Sequence, residues 1–152
     1  MYDKEYSSAI HQKFWTSFGR YMQPVPNALG EKINWINYKT GVKAISIKID
    51  VSNTTATICF EILNLNASIN NKYLSLFNKH QTTFEAITHN QFCIYHNIIN
   101  NQQKPVLAAI ATLSNINIYN QADWPVIITF LKHNLIQLDN YWQSYKIAYE
   151  LA

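Results

Sequence analysis

Lys48, Asp50 and Glu61 are the side chains whose types and spacing come nearest to a hydrolytic centre in this sequence. They fall on the outward-facing positions of two adjacent predicted strands, Ile45–Val51 and Ala56–Leu63. Two carboxylates there could hold Mg²⁺ through oxygen ligands, and such a metal can activate a water. A restriction-type nuclease core also needs an acidic-x-Lys step, whose lysine orients that water. Leu63 follows Glu61-Ile62, so only Lys48 could supply the missing amine, from the neighbouring strand. The simpler reading is a solvated charge cluster, since exposed ion pairs are common and individually weak.

The histidines are His11, His80, His89, His96 and His133, and the cysteines are Cys59 and Cys93. Cys93 and His96 stand three apart in a predicted strand, which puts them on opposite faces and unable to share a zinc ion. Both cysteines lie in apolar runs, where a thiol packs as a small hydrophobe. No G-x-S-x-G elbow is present, and Gly19, Gly30 and Gly41 are isolated, so there is neither a Walker loop nor a dinucleotide fingerprint. The residues point to no metal and no cofactor.

Two surfaces are candidates for partners. Trp35 and Tyr38 lie among Lys39, Lys43 and Lys48 (with Lys32 just before), and aromatic platforms flanked by lysines can stack bases while binding phosphates. The competing reading places Trp35 in the core and the lysines as guards of sheet edges. At the other end of the chain, Tyr141, Trp142, Tyr145 and Tyr149 crowd the close of a long predicted helix. Such amphipathic rings are enriched at interfaces, so a homodimer through this helix is one expectation. The other is that the rings fold back over Phe14 and Phe18 of the first helix.

The elements that must position these residues follow from hydrophobic period. Tyr6, Ile10, Phe14, Phe18 and Met22 recur every fourth residue, which predicts a helix over 5–22 that Pro24 and Pro26 stop. Ile33–Lys39 alternates well enough for a strand. Ile45, Ile47, Ile49 and Val51 face one way, and after a four-residue loop so do Ala56, Ile58, Phe60 and Ile62. That loop sets Val51 opposite Ala56 and Ile49 opposite Ile58, the register that keeps both apolar sets on one face. Ser68 can cap a second helix running to about Thr88, with Ile69, Tyr73, Phe77, Phe84 and Ile87 as its stripe. Phe92–Ile99 reads as a strand with Ile94, His96 and Ile98 on one side, and the apolar run Val106–Leu113 as a central strand. The last helix starts near Asp123 with Pro125 in its first turn. Its seam, from Trp124 through Leu131, Leu138 and Tyr145 to Tyr149, alternates spacings of four and three.

The order α-β-β-β-α-β-β-α predicts an α+β fold: about five mostly antiparallel strands packed against two or three helices, in one domain over residues 1–152. Ile45, Ile47, Ile49, Ile58, Phe60, Ile62, Phe77 and Leu131 form its expected core. With 48% hydrophobic and 14% charged residues the chain is not of the disordered class. Its net charge of +3 is too small for a nucleic-acid-binding tail. No run is long enough to span a membrane, and the polar start Met1-Tyr2-Asp3-Lys4-Glu5 lacks the apolar stretch of a signal peptide. A cytoplasmic location and no membrane partner are expected.

Several local motifs go further. Phe14-Trp15 precedes Phe18-Gly19-Arg20-Tyr21-Met22-x-Pro24. Then come Asn34-Trp35-Ile36-Asn37-Tyr38-Lys39-Thr40-Gly41, Asn117-Ile118-Tyr119-Asn120 with Asp123-Trp124-Pro125, and Leu138-Asp139 with Trp142. Through these residues, from Phe14 to Tyr149, the sequence resembles the bacterial domain-of-unknown-function family 4268. The resemblance implies a small stand-alone protein whose relatives also occur as C-terminal domains behind nuclease-like domains, and it carries over no catalytic residue. Longer relatives often have a basic residue in the strand before the last helix, where this chain has Ala108-Ala109-Ile110-Ala111. The expected function is therefore a non-catalytic interaction or accessory domain linked to nuclease or DNA-defence systems. The alternatives are a nucleic-acid-binding module and a degenerate metal-dependent nuclease.

Overall fold

A computed structural model of the chain describes residues 3–64 and 68–152, the side chains of 68–71 excepted. Its elements run α1 (Lys4–Met22), β1 (Ile45–Val51), β2 (Thr55–Leu63), α2 (Ser68–Ile87), β3 (Cys93–Ile99), β4 (Pro105–Ser114) and α3 (Trp124–Glu150). The strands form one antiparallel sheet in the order β1-β2-β4-β3. This is the expected α+β fold with four strands in place of five.

Asp3 opens α1 by accepting the Tyr6 N–H on its carboxylate at 2.7 Å, which satisfies one of the free donors at a helix start. Phe14, Phe18 and Met22 are buried along its stripe, whereas Tyr6 and Tyr21 reach solvent. Beyond Pro24 and Pro26 the chain does not form the strand expected over Ile33–Lys39. A strand would send Trp35 and Tyr38 to opposite faces, yet both are buried in the same core, their rings 6.1 Å apart. The local cause is Asn34, whose side-chain oxygen accepts the N–H groups of Ile36 and Asn37, both at 3.1 Å. Side chains of this kind compete with the sheet ladder and turn the chain. Gly41, at φ +82°, completes the approach to β1.

The first hairpin has the expected register, with Val51 opposite Ala56 and Ile49 opposite Ile58. Ala56, Ile58, Phe60 and Ile62 are fully buried beneath the helices, and of the expected core residues Ile49 alone is half-exposed. The apolar run Pro105–Ser114 is a central strand, flanked by β2 and β3. A bulge interrupts β3: Tyr95 pairs with Ala108 and Ile98 with Val106, so three residues on β3 match two on β4. The extra residue reverses the side-chain phase. Ile94 stays on the helix side, but Ile98 joins the opposite face, against the unbroken alternation expected of Ile94, His96 and Ile98.

Helix α3 is 27 residues long, about 40 Å. Asp123 stands at its N-cap, but the carboxylate accepts the Asn117 N–H at 3.0 Å instead of a helix donor. The first half of α3 lies along α1: Phe14 meets Trp124 at 5.3 Å between ring centroids, and Lys132 sits over the Tyr21 ring. The second half lies antiparallel to α2, with Tyr149 beside Tyr73 and Tyr141 beside Phe84, at 6.2 and 5.0 Å. The far end therefore does not overhang. Tyr141, Trp142 and Tyr149 are buried within the chain, so these three rings are not open to a second copy, while Tyr145 is half-exposed and packs on His80 at 4.6 Å. Their ring contacts are with α2 and with Phe60 of β2, where the sequence pointed to Phe14 and Phe18 of α1. The cap expected at Ser68 and the stripe position Ile69 lie outside the described side chains. Among the described residues no helix is long and apolar enough to cross a membrane.

Candidate functional site

The helices cover one face of the sheet, and the other face is hollow. A depression of about 550 Å³ lies there, floored by Val106, Ala108 and Ile110 and walled by Lys48, Glu61 and Asn100. Small outward side chains (Thr57, Cys59 and Ala108) leave the space. The β3–β4 turn leans over it. Asn100 shapes that turn by accepting the N–H groups of Gln102 at 2.9 Å and Lys104 at 3.0 Å.

Glu61 is the polar centre of the hollow. It lies on an interior strand and is 7% exposed. Its Oε1 accepts from Lys48 Nζ at 3.0 Å and from Asn100 Nδ2 at 3.1 Å. Lys48, whose side chain is 41% exposed, also donates to Gln102 Oε1 at 3.2 Å. A carboxylate buried this far needs a cation and hydrogen bonds to stay charged, and it has both. Burial, followed by the negative charge of Glu61, pushes the neighbouring Cys59 thiol up to about 12, against a partial offset from Lys48. At neutral pH that thiol is protonated and is no nucleophile.

The hairpin does not assemble a metal site from Asp50 and Glu61. Asp50 pairs with Thr57 and Glu61 with Ser46, so the two acids stand four residues apart along the ladder, about 13 Å. Asp50 is exposed at the rim. Among the described residues no three His, Cys, Asp or Glu side chains converge on a point where an ion could sit.

The residues expected at a nucleic-acid surface are separated. Trp35 donates to the Val25 carbonyl at 2.9 Å and Tyr38 donates to Asp139 at 2.5 Å, both inside the core. Neither ring is open for base stacking. Lys39 and Lys43 are exposed on the loop, and Lys48 belongs to the hollow on the face away from Asp139. Asn100, Gln102 and Ala108 were not legible as site residues. The available signal was the outward set Val106, Ala108 and Ile110, apolar on a face that a helix-covered sheet need not make apolar on both sides.

A second cluster is closed to solvent. Asp139, 1% exposed, accepts from the Ala28 N–H at 2.6 Å, the Tyr38 hydroxyl and Gln143 Nε2 at 3.3 Å. Burial first, and Asp139 second, hold the Tyr38 phenol well above its ordinary range. Nearby, Trp142 donates to the Thr40 carbonyl at 3.2 Å. These contacts pin the 23–44 loop to α3. They join Trp35, Tyr38 and Thr40 of one sequence motif to Asp139 and Trp142 of another, so motifs far apart in the chain meet here in one structural latch.

No curated protein and no solved structure matches the chain. Residues 10–146 match the family model described as domain of unknown function DUF4268, and with nearly its whole length inside that match the chain belongs to this family.

Proposed function

We propose that the protein is a non-catalytic interaction domain, accessory to nuclease or DNA-defence systems, and that it binds through the helix-free face of its sheet. The observation that carries this reading is the state of Glu61. Its carboxylate is neutralised by Lys48 and held by Asn100, and Asp50 stands too far along the ladder to share an ion with it. A metal-dependent hydrolytic centre needs several ligands gathered round one ion, and among the described residues none joins Glu61. Here the charged pair is instead part of the wall of a recognition surface. The link to nuclease systems rests on family resemblance alone.

A divalent-metal cleavage assay on plasmid and single-stranded DNA tests the reading. The expected result is no cleavage with Mg²⁺ or Mn²⁺. Cleavage that disappears in Glu61→Ala would overturn it in favour of a metal-dependent nuclease. The exposure of Lys39 and Lys43 favours a second reading, weak contact with nucleic-acid phosphates. Such binding falls steeply with salt through counterion release, and Lys39→Ala with Lys43→Ala would flatten that slope. Binding absent at low salt would remove the second reading.

A further inference from the structure

The polar groups in the wall of the hollow are not equally engaged. Glu61 Oε1 receives Lys48 and Asn100, whereas the contact made by Oε2 is the Cys59 thiol at 3.9 Å, a weak donor at long range. An ammonium carries three N–H groups. Lys48 directs two of them, to Glu61 and Gln102. A hydrogen-bond acceptor and a donor thus stand side by side while their charges cancel. Opposite Glu61 in the ladder is Ala108, whose side chain ends at Cβ and leaves an apolar floor beside the polar wall. The volume, about 550 Å³, lies within the roughly 300–1,000 Å³ of small-molecule pockets.

Charge decides which ligand chemistry suits this arrangement. An ionic ligand would compete for one half of the pair and leave the other without its counter-charge, an unfavourable exchange for a carboxylate as buried as Glu61. A neutral ligand with an N–H next to a C=O engages both groups and breaks nothing. The geometry points to a binding site for a neutral cyclic amide, a lactam- or pyrimidinone-type ring. Its N–H donates to Glu61 Oε2, its C=O accepts from Lys48 Nζ, and its ring lies over Ala108. This site deepens the reading of the helix-free face as the binding face and rests on it.

The test is an NMR titration of the isotope-labelled protein with 2-pyridone, with N-methyl-2-pyridone as the analogue lacking the donor. Saturable shifts are expected at Lys48, Glu61, Asn100 and Ala108. Loss of one hydrogen bond to a charged acceptor should weaken the N-methyl analogue by about tenfold or more. Ala108→Leu, whose added carbons enter the hollow and not the core, should abolish the shifts while the melting transition is retained. If that variant does not fold, Glu61→Gln replaces it, with about tenfold weaker binding expected. The proposal is overturned by unsaturable shifts, by equal binding of the two pyridones, or by full binding in a folded variant. Metal-dependent cleavage would overturn the accessory reading and leave this titration unchanged. A failed titration would remove the ring site and leave the cleavage assay unchanged.

Discussion

Asp139 is a carboxylate in the middle of an apolar helix face, with an amide, a phenol and a carboxamide donating to it. Removing the acceptor strands the buried Tyr38 hydroxyl and also takes away the partners of the Ala28 N–H, at an exposed residue, and of Gln143. A hydrogen bond to a charged group is worth about 1.5–3 kcal/mol, and Asp139→Ala removes more than one, so it is expected to destabilise the fold by about 3 kcal/mol or more. Tyr38→Phe deletes one donor and leaves the carboxylate with its other two partners, at about 1–2 kcal/mol. Urea denaturation of the two variants measures the difference. Equal losses would mean that the carboxylate is not the hub of the latch.

At the scale of elements, the bulge in β3 decides which residues reach the hollow. Because one residue on β3 has no partner on β4, Ile98 meets Val106 on the helix-free face. Deleting Asn97 would regularise the ladder and leave Ile98 where it is, opposite Val106. Stability should then change by no more than about 1 kcal/mol, with Ile98 still close to Val106 by nuclear Overhauser contacts. Had the strand alternated without a bulge, the same deletion would swing Ile98 and Ile99 across the sheet, and thermal unfolding would register a large loss. Helix α2 shows the complementary case. It ends where His89 and Asn90 take left-handed backbone angles, φ 55° and 57°, a common way to close a helix. Its length is what covers the aromatic end of α3.

The whole molecule gathers phenols and a thiol that are neutral in the fold. Burial pushes Tyr149 from 10.0 up to about 12, and burial with the charge of Glu61 pushes Cys59 from 9.0 to about 12. Tyr38 and Tyr141 are raised by burial as well. The unfolded chain ionises these groups at their ordinary values, so it gains stability first as pH rises. Folded-state stability is therefore complete below about pH 9 and declines as pH climbs through 10 towards 12. The hydrogen-bonded pair Tyr141 and Tyr149 contributes to that decline together. Urea midpoints measured from pH 8 to 11 should stay level at first and then fall. A midpoint constant across that range would mean that the phenols reach water in the folded state.

Local rules determined much of this protein. Pro24 and Pro26 end α1 because proline has no N–H to donate to the preceding helical turn, and Pro125 fits the first turn of α3. The β1–β2 register was legible because the four-residue loop sets Val51 opposite Ala56, a pairing that keeps Ile47, Ile49, Ile58 and Phe60 on a common face. Tertiary structure decided what periodicity does not encode. The alternation of Ile33–Lys39 was real, but the Asn34 turn and the burial of both Trp35 and Tyr38 outweighed it. The bulge leaves no mark on the β3 sequence, because the partner strand defines it. The rings of Tyr141, Trp142 and Tyr149 looked like an interface until α2 and β2 were seen to cover them. Asp139 meets Tyr38 across 101 residues and Ala28 across 111, and the β3–β4 turn brings Asn100 and Gln102 to the Lys48–Glu61 pair in the wall of the hollow. Period and turn chemistry are properties of neighbouring residues, whereas hydrogen-bond partners and empty volume depend on which distant segments share the same space.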